Sequence, residues 1–215
     1  MATRLIDDTI LQNIAEAIQE KDGGSKMRIS EMATRISAIE SQSNMTVANS
    51  IINRTITSIE SDVSSIGYNA FSRCTSLTSA IFAEAITIGP LSFESCTRLT
   101  NVEIPKVTSL DASSFYGCIR LSRIFLPAAT HLNSQSFRDC SALTVIVMGK
   151  QCVLANTNVF SGADNAIIYV QPDDLSWYRE QTNWSTYSNR IKSVSELIGD
   201  DLTWYQQQLT KYPLS

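Results

Sequence analysis

The sequence predicts a stacked solenoid, each coil a β-strand followed by turns or a short helix, and three observations predict it. Cys74, Cys96, Cys118 and Cys140 stand at one fixed interval of 22 residues. Phe71, Phe93, Phe115 and Phe137 lie three residues before each cysteine, and Leu77, Leu99, Leu121 and Leu143 three residues after. Ile66, Ile88, Leu110 and Leu132 form a further column at the same step. A period in this range marks a repeat architecture, in which no unit buries its apolar face alone and neighbours stack into one continuous core. Recognition in such a protein belongs to an extended surface, not to a catalytic pocket.

The first 40 residues read as two helices. Ile6, Ile10, Ile14, Ala17 and Ile18 share one face, while Asp7, Asp8, Gln12, Glu16 and Glu20 take the other. Asp22-Gly23-Gly24 ends this helix. Ser30 can N-cap a second, with Met32, Ile36 and Ile39 on one side. Two short amphipathic helices cannot bury both stripes against each other, so this hairpin is either an attachment or oligomerisation module or the N-terminal cap of the solenoid. Residues 41–50 are polar and read as a linker.

Residues 51–171 are the solenoid, with full coils at 66–87, 88–109, 110–131 and 132–153. Ahead of them, Ile56-Thr-Ser-Ile59 and Val63-Ser-Ser-Ile66 echo half a coil, one residue short. After them, Val159-Phe160-Ser-Gly162 echoes Phe-x-x-Cys with Phe160 displaced by one and Gly162 where a cysteine is expected. Ile168 and Val170 return to register. The strand follows each Leu: in Leu99-Thr-Asn-Val102-Glu-Ile104-Pro105, Val102 and Ile104 point inward and Asn101 and Glu103 outward. Pro105 and Pro127 end their strands, and Gly89-Pro90 marks a corner. Each coil buries about five apolar side chains, at roughly 1.5–3 kcal/mol apiece. Residues 172–215 are a C-terminal helical cap and tail. A helix opening at Pro172-Asp173-Asp174 brings Leu175, Trp177, Tyr178, Trp184, Tyr187 and Ile191 over the last coil, and a more polar helix follows around Leu202, Trp204, Tyr205 and Leu209.

The coil pattern resembles the BspA-like, or treponemal-type, leucine-rich repeats over about two-thirds of the chain. Residues 88–109 carry the likeness almost throughout, as Ile88-Gly89-x₃-Phe93-x₂-Cys96-x₂-Leu99-Thr-x-Val102-x-Ile104-Pro105. The run from Ile168-Tyr-Val-Gln-Pro172 through Thr182-Asn183-Trp184 to Ile191-Lys192 is similar to the usual end of such arrays. The expected fold is thus a leucine-rich-repeat solenoid with an N-terminal helical hairpin and a C-terminal helical cap. Thr9-Ile-Leu-Gln-Asn-Ile14-Ala15-x-Ala17-Ile18-x-x-Lys21, followed by Ile29-Ser30-Glu31-Met32-Ala33-x-x-Ile36, resembles a helical module that opens many tail and baseplate proteins of phages infecting Gram-positive bacteria. Together the two resemblances imply a virion structural protein of the tail, baseplate or fibre. Its partners would be other virion proteins, copies of itself, or a host surface protein or glycan. Their alternative is a bacterial adhesion or interaction module of the same repeat family.

Composition sets further limits. Lys and Arg number 17 against 21 Asp and Glu, a net charge of −4, which gives no basic patch for nucleic acid or anionic membrane. No apolar run approaches the ~18 residues of a membrane span. Met1-Ala-Thr-Arg-Leu-Ile-Asp-Asp lacks the apolar core of a secretory signal, so synthesis in a host cytoplasm is expected. The cysteine interval is far from metal-ligand spacing, and the thiols read as buried, reduced packing groups. A disulfide along the ladder is sterically conceivable, though a cytoplasmic origin disfavours it. No cofactor or metal is expected, and no catalytic residue is nominated. His131 is the lone histidine, read as solvated or capping, and the carboxylates Glu84, Glu94, Glu103, Asp111 and Asp139 occupy different columns.

The outward strand positions are unusual. One column reads Ile81, Glu103, Phe125, Val147, Tyr169 and its neighbour Ser79, Asn101, Arg123, Val145, Ile167. A solvated sheet face is mostly polar, so this one is the candidate partner-binding face. Three readings stand open: the termini fold back over it, a protein (another copy included) docks there, or a glycan does.

Overall fold

The computed structural model describes residues 53–214. The predicted N-terminal helices carrying Ile6, Ile10, Ile14, Ile18, Met32, Ile36 and Ile39, and the linker at 41–50, lie outside the described residues.

Each coil contributes a longer strand and, one turn later, a strand of two residues. The longer strands are β1 (Ser58–Ser61), β3 (Ser79–Phe82), β5 (Asn101–Glu103), β7 (Arg123–Leu126), β9 (Val145–Met148) and β11 (Ile167–Val170). The short ones are β2 (Ser65–Ile66), β4 (Thr87–Ile88), β6 (Ser109–Leu110), β8 (His131–Leu132) and β10 (Val153–Leu154). All pairings are parallel, and like residues meet: Ile66 faces Ile88, Leu110 faces Leu132, and Ile146 faces Ile168. The step between β1 and β3 is one residue shorter, with Ser58 opposite Ser79. The short strands form one five-stranded ladder, whereas the longer ones fall into two runs, broken between β5 and β7.

The core is a set of columns. Stacked Phe71, Phe93, Phe115, Phe137 and Phe160 have centroids 5.2, 5.0, 5.5 and 5.7 Å apart, with ring planes within 10° of parallel. Each such pair contributes about 0.5–1.5 kcal/mol beyond its burial. The thiols run alongside: Cys96, Cys118 and Cys140 donate to the carbonyls of Phe71, Phe93 and Phe115 in the preceding coil, at 3.0, 3.1 and 3.1 Å. A second inward column, Phe82, Ile104, Leu126, Met148 and Val170, is equally buried.

The backbone at the corner is tied coil to coil. Phe71, Phe93 and Phe115 donate their N–H groups to Ser92, Ser114 and Ser136 of the next coil, at 2.7, 2.8 and 2.9 Å. To make this corner, Asn69, Leu91, Ser113 and Gln135, and again Arg73, Ser95, Gly117 and Asp139, take left-handed conformations. At Gly89 the coils approach so closely that a Cβ would stand 2.8 Å from the Ile66 carbonyl oxygen.

The fifth coil corrects one expectation. Phe137 donates to Val159 and Asp139 to Ser161, so the extra residue is absorbed before Phe160, which keeps its place in the stack. It is then Ala163, fully buried, that fills the cysteine column. Gly162 takes the left-handed position at φ +77°, where a Cβ would meet the Asp139 carboxylate at 2.2 Å.

The C-terminal segment closes the stack. A 3-10 turn (Pro172–Asp174) leads into α1 (Leu175–Glu180), and a second 3-10 segment (Ser185–Arg190) follows. Tyr187 lies edge-on to Phe160 at 5.4 Å, with Trp184 beside it at 5.9 Å. The Trp184 indole N–H donates to the Cys152 carbonyl at 2.6 Å, and the Asn183 amide to that of Leu154 at 2.9 Å, so free carbonyls of the last coil are satisfied by cap side chains. Ile191, expected on the capping helix, instead lies in β12 (Ile191–Ser193), which extends the long-strand sheet beyond β11. The chain ends in α2 (Gly199–Lys211).

Beside the phenylalanines, Ser92, Ser114 and Ser136 are fully buried where the first coil has Ala70. The hydroxyls of Ser92 and Ser114 have no hydrogen-bond partner. A buried polar group left unmatched destabilises the fold by about 1–3 kcal/mol. Ser92→Ala and Ser114→Ala are therefore each expected to stabilise by ~1 kcal/mol, raising the melting midpoint by about 2–4 °C in a calorimetric scan. A lowered midpoint would mean that those hydroxyls are matched in solution.

Candidate interaction surface

Alternation along the longer strands turns positions such as Ser79 and Ile81 outward while Ala80 and Phe82 enter the core. The candidate partner-binding face is this outer side, and the structure divides it in two. Over β7, β9 and β11 it is roofed by α2. Phe125, Val145 and Val147 are buried, in a cluster with Leu197 and Tyr205 that also gathers Tyr169, Leu202 and Leu209. The Phe125 and Tyr205 rings meet edge to face at 6.0 Å. Of the three readings left open, the fold-back of a terminus is the one seen at Phe125, Val145 and Val147: the apolar excess there is covered by the chain's own helix, so these three residues are not a free partner-binding surface. Arg123, Ile167 and Tyr169 at its margin are half-buried.

Both ends of α2 are tied down by charge. The Arg123 guanidinium meets the Asp201 carboxylate at 2.7 Å in the helix's first turn. At the other end Glu103 accepts from Lys211 and, at 2.7 Å, from the Tyr212 hydroxyl. The hydrogen bond to Glu103 raises the Lys211 pKa, while burial, then Glu103, raises that of Tyr212. Burial also raises the Tyr169 pKa. These contacts lie near the surface, where an ion pair contributes about 0–1 kcal/mol, so the apolar contacts hold the helix.

Over β1, β3 and the Asn101 end of β5, no element among the described residues roofs the face, and it is largely polar. Ser58 and Asn101 are exposed, with Glu60, Ser79 and Ile81 half-buried. Asn101 donates to the Ser79 hydroxyl at 3.0 Å. Beside this area, where the chain turns after each long strand, runs a groove of about 550 Å³. Ala83, Ile86, Pro105 and Pro127 form much of its apolar lining, Glu84, Lys106 and Lys150 are charged groups upon it, and Lys211 to Leu214 form the opposite wall. Lys106 pairs with Glu84 at 2.6 Å across neighbouring coils. Ile86 is 42% exposed there, an apolar side chain open to solvent. None of these groove residues was nominated from the outward columns, because they lie in the turns. The available signals were Pro105 and Pro127 recurring at one coil's interval and Ile86 standing where Thr108 and Thr130 follow.

The five cysteines are free and buried. Burial pushes the thiols of Cys74, Cys140 and Cys152 up to about 12, and those of Cys96 and Cys118 well above their usual range, so none offers a thiolate nucleophile at neutral pH. His131 is exposed, its Nδ1 3.0 Å from the Thr130 hydroxyl. Glu94 accepts from Ser72 at 2.6 Å, and Asp111 from Asn133 at 3.2 Å. Among the described residues, no group of three or more His, Cys, Asp and Glu is arranged to hold a metal ion. Among those residues too, no helix is long and apolar enough to cross a membrane.

A parallel solenoid with a stacked Phe column, a Cys column beside it and an aromatic end cap defines the class: a stacked-repeat protein. The chain belongs to the BspA type leucine rich repeat family, which residues 48–167 match in six copies. No curated protein matches. Among solved structures it is similar to a leucine rich repeat protein of T. pallidum, at 21% identity and a TM-score of 0.47, over 51% of this chain and 52% of that one. A leucine-rich repeat protein from Bacteroides ovatus matches at 21% identity and a TM-score of 0.48, over 65% and 40%. A leucine rich cell surface protein from Faecalibacterium prausnitzii matches at 25% and 0.42, over 54% and 39%. The chain thus spans about half the length, or less, of these proteins. As a member of its family, it is a leucine-rich-repeat module.

Two measurements follow. A thiol whose pKa is higher folded than unfolded stabilises the fold fully below the unfolded value near 9, and that stability is lost as pH rises toward the folded value near 12. The unfolding free energy is therefore expected to fall from pH 9 to 12 by up to ~1.4 kcal/mol per pH unit for each thiol, and the melting midpoint to fall steeply with it. A flat profile across that window would place the cysteine column in solvent. Phe125→Asp is expected to release α2, with amide exchange at residues 199–211 accelerated at least tenfold while the Phe-stack coils stay protected. Unchanged exchange in α2 would contradict its seating on Phe125.

Proposed function

We propose that the chain is a non-enzymatic display module, and that the flank left open by the described residues, from the polar outer side of β1, β3 and β5 to the adjoining groove, takes a protein partner. The observation that carries this reading is the groove's composition: an apolar floor of Ile86, Pro105 and Pro127 with Glu84, Lys106 and Lys150 around it. An apolar centre with a charged rim is the arrangement of protein interfaces. The finer setting we propose is the virion. There the N-terminal segment attaches to tail or baseplate proteins and the solenoid faces the host surface or neighbouring subunits, the chain having been made in the host cytoplasm. The support is the residue pattern from Thr9 to Ile36. The alternative, a bacterial adhesion module outside any virion, shares the same family membership.

The test has two arms. Ile86→Asp with Lys106→Gln alters two exposed side chains and gives up only the surface pair of Lys106 with Glu84, so melting is expected to fall by no more than about 4 °C. Binding of the labelled chain to host cells or to purified particles is expected to fall at least tenfold. Undiminished binding would move the site elsewhere. Mass spectrometry of purified virions then separates the settings: the chain at constant stoichiometry in particles supports the first, and its presence only in the bacterial envelope fraction supports the second.

A further inference from the structure

The roofed half of the outer face has the makings of a binding site already filled in cis. Its buried residues, Phe125, Val145, Val147, Leu197 and Tyr205, form a cluster separate from the main core of phenylalanines, cysteines and cap aromatics. Lifting α2 away therefore leaves the stack, β12 and the aromatic end cap intact. The face also has a direction. Arg123 at the start of β7 meets Asp201 in the first turn of α2, and Glu103 at the end of β5 meets Lys211 in its last turn. A helix dipole favours acidic groups at the N-terminal turn and basic groups at the C-terminal turn. A cation and an anion set at opposite ends of an apolar bed accept such a helix in one orientation and repel it reversed.

The joint behind α2 is suited to movement. Leu197 is buried, but Ile198 is extended and 80% exposed, and Gly199 has φ +58° with no atom within 4 Å of where a Cβ would stand. Rotation at these two residues re-aims the helix without a collision at the joint. We propose that this face is a directional helix-docking site and that α2 exchanges between two copies of the chain, each helix lying on the other copy's Phe125, Val145 and Val147. The partner's α2 offers the same apolar contacts and the same two charge pairs, so the exchanged and closed forms differ chiefly at the joint, and exchange costs little. This docking site is distinct from the open groove, and its test does not depend on any partner bound there.

Charge reversal tests the proposal on the full chain. Arg123 and Asp201 are both partly exposed, so Arg123→Glu and Asp201→Arg leave the cores untouched. Each variant alone sets like charges between face and helix, whether closed or paired with itself. In an equimolar mixture of the two, exchange restores an opposite-charge pair at both docking sites. The mixture is expected to form a heterodimer, seen by light scattering on a sizing column, at a level roughly tenfold above the dimer fraction of either variant alone. Association through the N-terminal segment is common to all three samples and drops out of the comparison. A mixture that only reproduces the sum of the separate variants overturns the proposal, as does an equal dimer fraction in all three.

Discussion

Everything in this fold depends on like residues of successive coils meeting in register. A single coil has too little area to bury a phenylalanine, a cysteine and three aliphatic side chains, and its strands lack partners for their backbone groups. Stacked, each coil supplies the next with a ring face at 5.0–5.7 Å, a carbonyl for its thiol and a complete set of strand neighbours. The same constraint explains the ends. A stack needs a last layer that presents an aromatic surface inward and polar groups to the dangling backbone, and Trp184 and Tyr187 do both, each donating a hydrogen bond to a carbonyl of the coil below.

The fifth coil shows which part of the pattern is rigid. One residue is gained before Phe160 and given back before Ile167, so chain length varies while ring stacking and strand register do not. Gly162 keeps the left-handed position that Arg73, Ser95, Gly117 and Asp139 hold in the earlier coils, and Ala163 rather than a cysteine suffices beside the last ring. Spacing of 22 residues is thus the consequence of the stack, and a coil departs from it where a compensating turn is at hand.

Much of this was legible in the sequence, because a fixed interval turns columns of letters into columns of contacts. The phenylalanine, cysteine and leucine columns, the shortened first coil and the C-terminal aromatic cap could all be read that way. The left-handed corner positions could not: Leu91 and Gln135 carry no mark of a conformation usually left to glycine, and only the demands of coil closure impose it. The roof over Phe125 was visible only as an excess. The outer columns turn apolar from Phe125 onward, and Leu202, Tyr205 and Leu209 recur at helical spacing, yet nothing in one strand's sequence says which amphipathic segment will cover it. Glu103 and Arg123 read as ordinary outward polar residues until the helix ends they bind are known. The groove was hidden for a different reason, since its walls come from turns of four coils and from a tail far along the chain.

The functional reading follows from what the stack leaves free. Among the described residues its interior is filled, its thiols are held protonated and its C-terminal end is capped, so the proposed recognition falls to the flanks, one half roofed by α2 and the other open beside a groove. The measurement that bears most directly on the stack is anomalous scattering from sulfur in a crystal of the full chain. In-register coils predict the Cys74, Cys96, Cys118 and Cys140 sulfurs as four peaks along one line, with steps of ~5 Å, the spacing of adjacent strands. Peaks scattered over unrelated parts of the molecule would contradict the account.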